Sequence, residues 1–402
     1  MPVLLIGTLD TKGSEVGYVR DRLRARGVNV MVMDAGSMGV PSIESDISRE
    51  AVFLAAGANL VEVRAAADRG QAVSLAAEGA AKLALELHGK GRLDGVLSLG
   101  GSAGTTIGTA AMRALPLGVP KLMVSTLASG QVQHYVGTSD IFMLHSVVDL
   151  AGLNRISRAV LDNAAAAMAG MISSKFRVPS SKLEDKPIVA ATMFGVTTPC
   201  VEAARKILEA AGYEVIVFHA TGTGGRTLEG LIRDGIIAGV LDITTTELAD
   251  ELVGGILSAG PDRLTAAGAR SIPQVISLGA LDMVNFGPPE TIPSRFQDRL
   301  FYRHNPSVTL MRTTPEEMAQ LGSELASKAN AAIGPTRVML PLRGVSAIDA
   351  EGKPFWWPEA DAALFAAIRS RIEARLLIEC DCHINDAAFA EACAVQLLEL
   401  LK

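Results

Sequence analysis

The stretch best suited to chemistry is Leu97-Ser98-Leu99-Gly100-Gly101-Ser102-Ala103-Gly104-Thr105-Thr106. The apolar run Val96–Leu99 predicts a buried strand, and the small apolar residues from Thr105 to Leu115 predict a helix. Strand, glycine loop and helix N-terminus together build an anion site. Glycines let backbone N–H groups approach an oxyanion, and the helix dipole favours negative charge there. Ser102, Thr105 and Thr106 add hydroxyl donors. A tight strand-to-helix turn that binds nothing accounts for the same residues equally well. The loop matches neither G-x-G-x-x-G nor G-x-x-x-x-G-K-S/T.

Other polar residues gather after predicted strands. Gly7-Thr8-Leu9-Asp10-Thr11-Lys12-Gly13 follows Val3–Ile6. Its Lys12 reads either as a point charge for a phosphate or as a solvated loop lysine. Ser125 and Thr126 close the strand after the glycine loop and belong beside it. His219-Ala220-Thr221-Gly222-Thr223-Gly224-Gly225-Arg226 is a second glycine-hydroxyl loop, whose Arg226 can fork onto a carboxylate or phosphate. Asp242, Thr244, Thr245, Thr246 and Glu247 form a third, where Thr246-Glu247 also reads as a helix cap. Asp282 follows strand Val275–Leu278, and Arg312 and Arg343 end strands. His219, Glu247 and Asp282 are the candidates for acid–base work on an anionic substrate. Thr221 to Arg226, Thr244 to Thr246, Arg312 and Arg343 are the candidates to hold it. Each of these residues taken alone is more often structural than catalytic. Cys380-Asp381-Cys382-His383 has no second Cys/His pair elsewhere to complete a four-ligand zinc site, so alternation at a strand end explains it better.

The elements that carry these loops repeat. Val3–Ile6, a helix from Ser14 to about Arg26, Gly27 and strand Val28–Met33 form a βαβ unit, which predicts a parallel sheet. Ile188–Thr192, helix Cys200–Ala211, Gly212 and strand Tyr213–Phe218 restate it, with Val3 matching Ile188, Gly27 matching Gly212 and Asp34 matching His219 at one separation. Gly95-Val96-Leu97 answers to Gly239-Val240-Leu241, and Gly100-Gly101-Ser102 is replaced by Thr244-Thr245-Thr246. The predicted architecture is α/β: two doubly wound domains with mostly parallel sheets, related by internal repeat, over residues 1–175 and 185–402. The segment 173–187 has linker composition. Ligands of such sheets sit beyond the strand C-termini, and the cleft between domains is the natural place for one.

Composition narrows the partners. The 402 residues carry net charge −6 with no lysine/arginine-rich run, which argues against nucleic acid. The long uncharged runs Gly95–Met112 and Leu122–Ser139 are too rich in Gly, Ser, Thr or Gln for membrane spans. Asp10 comes too early for a signal peptide, and the four cysteines then read as thiols of a cytoplasmic protein.

Several of these segments resemble one family. Gly7–Gly13, Gly100–Thr105, Thr138-Ser139-Asp140, Gly152-Leu153-Asn154, Ala220–Arg226 and Phe301-Tyr302-Arg303-His304-Asn305-Pro306 are similar to the N-terminal domain of the tomato mosaic virus resistance protein and to the bacterial uncharacterised proteins related to it. The resemblance covers essentially the whole chain. It implies two Rossmann-like domains and ATP, with or without magnesium, bound by the first. The residues carried over for the nucleotide are Gly7, Thr8, Asp10, Thr11, Lys12, Gly100, Gly101, Ser102, Ala103, Gly104, Thr105, Ser125 and Thr126. Ala103 departs from the pattern, standing where a third glycine would loosen the loop. The expected partners are a small anionic ligand and further copies of the chain, as a homodimer or higher homo-oligomer. An ATP- or phosphate-handling enzyme and a non-catalytic sensor are both open readings.

Overall fold

The computed structural model describes residues 1–173 and 186–402. The chain divides into two compact units, Met1–Ser181 and Lys182–Lys402. Most of the predicted linker, 174–185, lies outside the described residues.

In the first unit, β1 (Val3–Gly7), β2 (Val30–Asp34), β3 (Gly95–Gly100), β4 (Lys121–Ser125) and β5 (Phe142–His145) form one parallel sheet in the order β2-β1-β3-β4-β5. Side chains alternate along each strand, so a sheet covered on both faces needs apolar residues throughout. Val3, Leu5, Leu97 and Leu99 pack with helices Leu9–Arg24 and Arg155–Ile172 on one face. Leu4, Ile6 and Val96 pack with helices Arg49–Ala55, Arg69–Gly89 and Ser102–Arg113 on the other. The chain leaves β1 for β2 on one side and returns to β3 on the other. The strand order therefore reverses between β1 and β3, where such sheets bind ligands.

The second unit repeats this plan. β6 (Ile188–Met193), β7 (Glu214–His219), β8 (Gly239–Thr244), β9 (Gln274–Gly279), β13 (Thr336–Pro341) and β14 (Leu377–Cys380) run parallel in the order β14-β13-β9-β8-β6-β7. Reading β6, β7, β8, β9 and β13 for β1 to β5 gives the same order, with β14 added at the edge. Gly27 and Gly212 end the first helix of each unit at φ +77° and +97°, the left-handed turn that favours glycine. Between β9 and β13 the chain inserts an antiparallel sheet of β10 (Met283–Phe286), β12 (Val308–Arg312) and β11 (Phe301–Asn305). The sequence pattern signals only β12 of these three, because Asn285 interrupts β10 and β11 ends in Arg303-His304-Asn305.

Two loops are shorter than the sequence suggests. The first helix begins at Leu9 rather than Ser14, so Asp10 to Gly13 are its opening turns, with Lys12 off helical geometry at φ −126°. Its cap comes from another strand: the Asp34 carboxylate accepts the Leu9 N–H at 3.1 Å. The helix after β3 begins at Ser102 with Gly101 as N-cap. Between β2 and β3 the chain forms three helices, Arg49–Ala55, Leu60–Ala66 and Arg69–Gly89.

Gly100 and Gly101 do different work. A Cβ on Gly100 would lie 2.8 Å from the Gly104 Cα, whereas on Gly101 it would meet nothing closer than the Thr126 hydroxyl at 3.7 Å. Gly100→Ala should lower unfolding stability by roughly 1–3 kcal/mol. Gly101→Ala should change it by less than about 0.5 kcal/mol, like other substitutions that meet no contact. Denaturant titration of both variants checks this, and equal losses would contradict the assignment.

Candidate functional site

The reversal point of the first unit holds a pocket of about 340 Å³. Thr8, Asp10 and Thr11 from the first helical turn, Ser37 and Met38 after β2, and Arg69 line it. Ala72, Val73, Ala76, Ala103 and Ile107 form an apolar wall. The segment after β2 is tied over the end of β1 by two carboxylates. Asp34 accepts the Gly36 N–H at 2.9 Å and pairs with Arg49 at 2.7 Å. Asp10 accepts the Met38 and Gly39 N–H groups, both at 3.0 Å. Arg49 closes the link by donating to the Gly39 carbonyl at 2.6 Å.

The residues expected around a nucleotide separate into two groups. Thr8, Asp10, Thr11 and Ala103 line the pocket. Thr8 and Thr11 also share a hydroxyl hydrogen bond of 2.6 Å. Gly101, Ser102 and Gly104 belong to the helix start, which has no side-chain cap. The first bond within that helix is Thr105 N–H to the Gly101 carbonyl at 2.8 Å. The remainder hold the scaffold. Gly7 and Gly100 are buried strand ends, and Thr126 donates its N–H to the Gly100 carbonyl at 3.3 Å. Thr105 and Ser125 are fully buried and bond each other at 2.7 Å. Lys12 is neither a solvated lysine nor a free phosphate ligand: its ammonium donates to the Leu150 carbonyl. Ser37 and Arg69 were not foreseen. The signal for Ser37 was its place just beyond β2, the neighbour of β1. Arg69 opens a helix capped by Asp68.

In the second unit the strand-end polar residues turn inward. Arg263 is buried and donates to both Asp242 oxygens, each at 2.6 Å, and to Glu247 at 2.6 Å. Burial works against its charge, but Asp242 and Glu247 outweigh that and raise its pKa. The other Glu247 oxygen accepts the Gly222 and Gly225 N–H groups at 2.6 and 3.0 Å. Glu247 is therefore a buried clamp on the loop after β7. The Thr244 hydroxyl bonds Thr197 at 2.7 Å, and those of Thr245 and Thr246 donate to the Ser277 and Met283 carbonyls at 3.0 and 3.4 Å. All three threonines are fully buried. Their place at the strand end pointed to a ligand, but burial commits their hydroxyls to the core.

A second buried cluster takes Arg312 and Asp282. Arg312 donates to the Phe355 carbonyl and to Asp361, both at 2.7 Å, and lies 3.6 Å from Asp349. Asp282 accepts from the Ser346 hydroxyl at 2.8 Å. Burial, then the neighbouring Asp349, pushes the Asp282 carboxyl up to about 8, and burial pushes Asp361 up to about 7. His219 is exposed at the end of β7, its ring edge-on to Phe194 at 5.8 Å. His219, Glu247 and Asp282 thus meet different partners. Thr221, Thr223, Gly224 and Arg226 stay at or near the surface, with Arg226 donating to the Ser258 carbonyl at 2.7 Å. Arg343 is exposed and paired with Asp381 at 2.7 Å. Among the described residues no group of three His, Cys, Asp or Glu side chains could hold a metal ion, and no helix is long and apolar enough to cross a membrane.

The raised Asp282 value fixes a pH signature. An unfolded aspartate releases its proton near pH 3.9, whereas the folded one keeps it to about 8. The folded state then binds more protons in that window, so this group's contribution to stability is full below pH 4 and is lost as pH rises to 8. Asp282→Asn, a neutral mimic that still accepts from Ser346, should gain on the wild type by up to about 1.4 kcal/mol per pH unit through the window. Denaturant unfolding at pH 5, 6, 7 and 8 measures the difference, and a constant offset would contradict the buried neutral carboxyl.

Comparison with known sequences fits this two-unit architecture. The models of the N-terminal and C-terminal domains of the Uncharacterised protein family (UPF0261) match residues 1–177 and 186–401. A UPF0261 protein of Clostridium tetani is 47% identical over 402 residues, covering 100% of this chain and 99% of that one. One of Rhizobium meliloti is 48% identical over 393 residues, covering 97% and 96%. The ToMV resistance protein Tm-1(GCR237) of Solanum lycopersicum is 41% identical over 420 residues, covering 99% of this chain but 55% of the tomato protein. With both family domains matched in order along its length, the chain belongs to the UPF0261 family.

Proposed function

We propose that the first unit is a nucleotide-binding domain whose ligand is ATP. The observation that carries this reading is the open reversal point, where a pocket meets the N-terminal turns of two helices, Leu9–Arg24 and Ser102–Arg113. The second of these starts on Gly101 with no side-chain cap, so its first N–H groups are available to phosphate oxygens. The exposed Arg69 and the hydroxyls of Thr8, Thr11 and Ser37 supply further donors, and the alanine-valine wall offers an apolar surface for a base. The donor set suits a phosphate-bearing ligand. It suits a resident magnesium ion less, because Asp10, the acid lining the pocket, already accepts two backbone N–H groups.

A small anionic ligand is the second part of the proposal. In the second unit it would meet Thr221, Thr223 and Arg226, the expected contacts that remain at or near the surface. Binding without turnover is favoured over an ATP-consuming reaction by one observation: Glu247 is engaged by Arg263 and the Gly222 N–H, and Asp282 by the Ser346 hydroxyl. Incubating the protein with ATP and candidate carboxylates tests this, since appearance of ADP, AMP or phosphate would restore the enzyme reading.

Gly101→Val gives the sharper test of placement. Its Cβ has room within the protein, so the fold should survive while the side chain covers the helix start. Calorimetric titration should show ATP affinity reduced at least about tenfold, or roughly 1.4 kcal/mol. Equal affinity in both proteins would remove the phosphates from this helix.

A further inference from the structure

We propose that Cys380 and Cys382 are a thiol modification site that closes to an intramolecular disulfide by exchange with a small-molecule disulfide of the glutathione type. Backbone geometry brings the pair together. At the end of β14 the Cys382 N–H donates to the Cys380 carbonyl at 2.8 Å, folding the chain back at Asp381. Residues two apart on an extended strand are about 6.6 Å apart and share a face. The turn shortens that span within the roughly 4.4–6.8 Å that a disulfide bridges. Burial first, and then the neighbouring Cys380, raises the pKa of the Cys382 thiol. The turn is anchored to the segment that follows β13, because the Cys380 and Cys382 carbonyls accept the Leu342 and Arg343 N–H groups at 2.9 and 3.1 Å.

Exposure selects this pair from the four cysteines. Cys200 and Cys393 are fully buried, whereas Cys380 and Cys382 are half-buried beside the exposed Arg343–Asp381 pair. In the exchange, the Cys380 thiolate attacks one sulfur of the small disulfide, forming a mixed disulfide and expelling one thiolate. The Cys382 thiolate then attacks the Cys380 sulfur and expels the second. The protein loses two electrons and two protons, and the small disulfide becomes two thiols. Burial holds both thiols mostly protonated at neutral pH, with Cys382 pushed up to about 11. The exchange should therefore accelerate as pH rises from 7 to 9.

The full chain incubated with oxidised glutathione at pH 7 and pH 9, then denatured, alkylated and mapped by mass spectrometry, tests the proposal. The expected product has lost two hydrogens, retains no glutathione, and carries its bridge within the one peptide that holds Cys380 and Cys382. Cys200 and Cys393 are then alkylated, and the product forms faster at pH 9. Cys382→Ser should trap glutathione on Cys380. Full alkylation of Cys380 and Cys382 after prolonged incubation at pH 9 would overturn the proposal. So would a lasting glutathione adduct on the wild type, or a bridge that includes Cys200 or Cys393.

Discussion

Charge taken into the core of this protein must be answered there, and the second unit depends on how Arg263 is answered. A guanidinium removed from water is tolerable only when its donors meet acceptors in good geometry, and removing one partner of such a cluster costs about 3–5 kcal/mol. Asp242 takes two of the Arg263 donors and Glu247 a third. Those two acids then organise what surrounds them. Asp242 accepts from Thr192 on β6 at 2.7 Å, and Glu247 grips the backbone at Gly222 and Gly225. A Cβ on Gly225 would sit 2.2 Å from the Glu247 carboxylate, so the loop after β7 can approach this closely only as glycine. One buried cation thus links β6, β8 and the start of the helix after β7.

The same topology with different residues gives the two units different surfaces at their reversal points. In the first, β3 ends in Gly100-Gly101-Ser102 and leads into a helix with no side-chain cap. In the second, β8 ends in Thr244-Thr245-Thr246, whose side chains fill the corresponding space and satisfy groups on neighbouring strands. Glycine leaves backbone N–H groups accessible, and threonine covers them while closing the core. The first unit keeps a pocket at this point, and the second commits its polar residues to its own stability.

The sequence carries the architecture plainly, because strand and helix periods and glycine stops are local signals. The match of Val3 to Ile188 and of Gly27 to Gly212 reappears as one strand order in both sheets. The roles of strand-end polar residues are not local. Glu247, Asp282 and Arg312 sit where ligand-binding residues sit in α/β proteins, and nothing in their neighbours along the chain announces that each is buried against a distant partner. Arg263 was missed for the same reason: it lies in a segment without hydrophobic period, and its partners are Asp242 and Glu247. The early start of the first helix was hidden because its cap, Asp34, comes from the next strand.

The pocket at the reversal point of the first unit is where the phosphate-bearing ligand is proposed to bind. Hydrogen-exchange mass spectrometry of the full chain, with and without saturating ATP, tests it most directly. The account predicts slowed exchange over residues 8–12, 35–39 and 101–107, with 244–247 unchanged. Slowing confined to the second unit, or none at saturation, would contradict it.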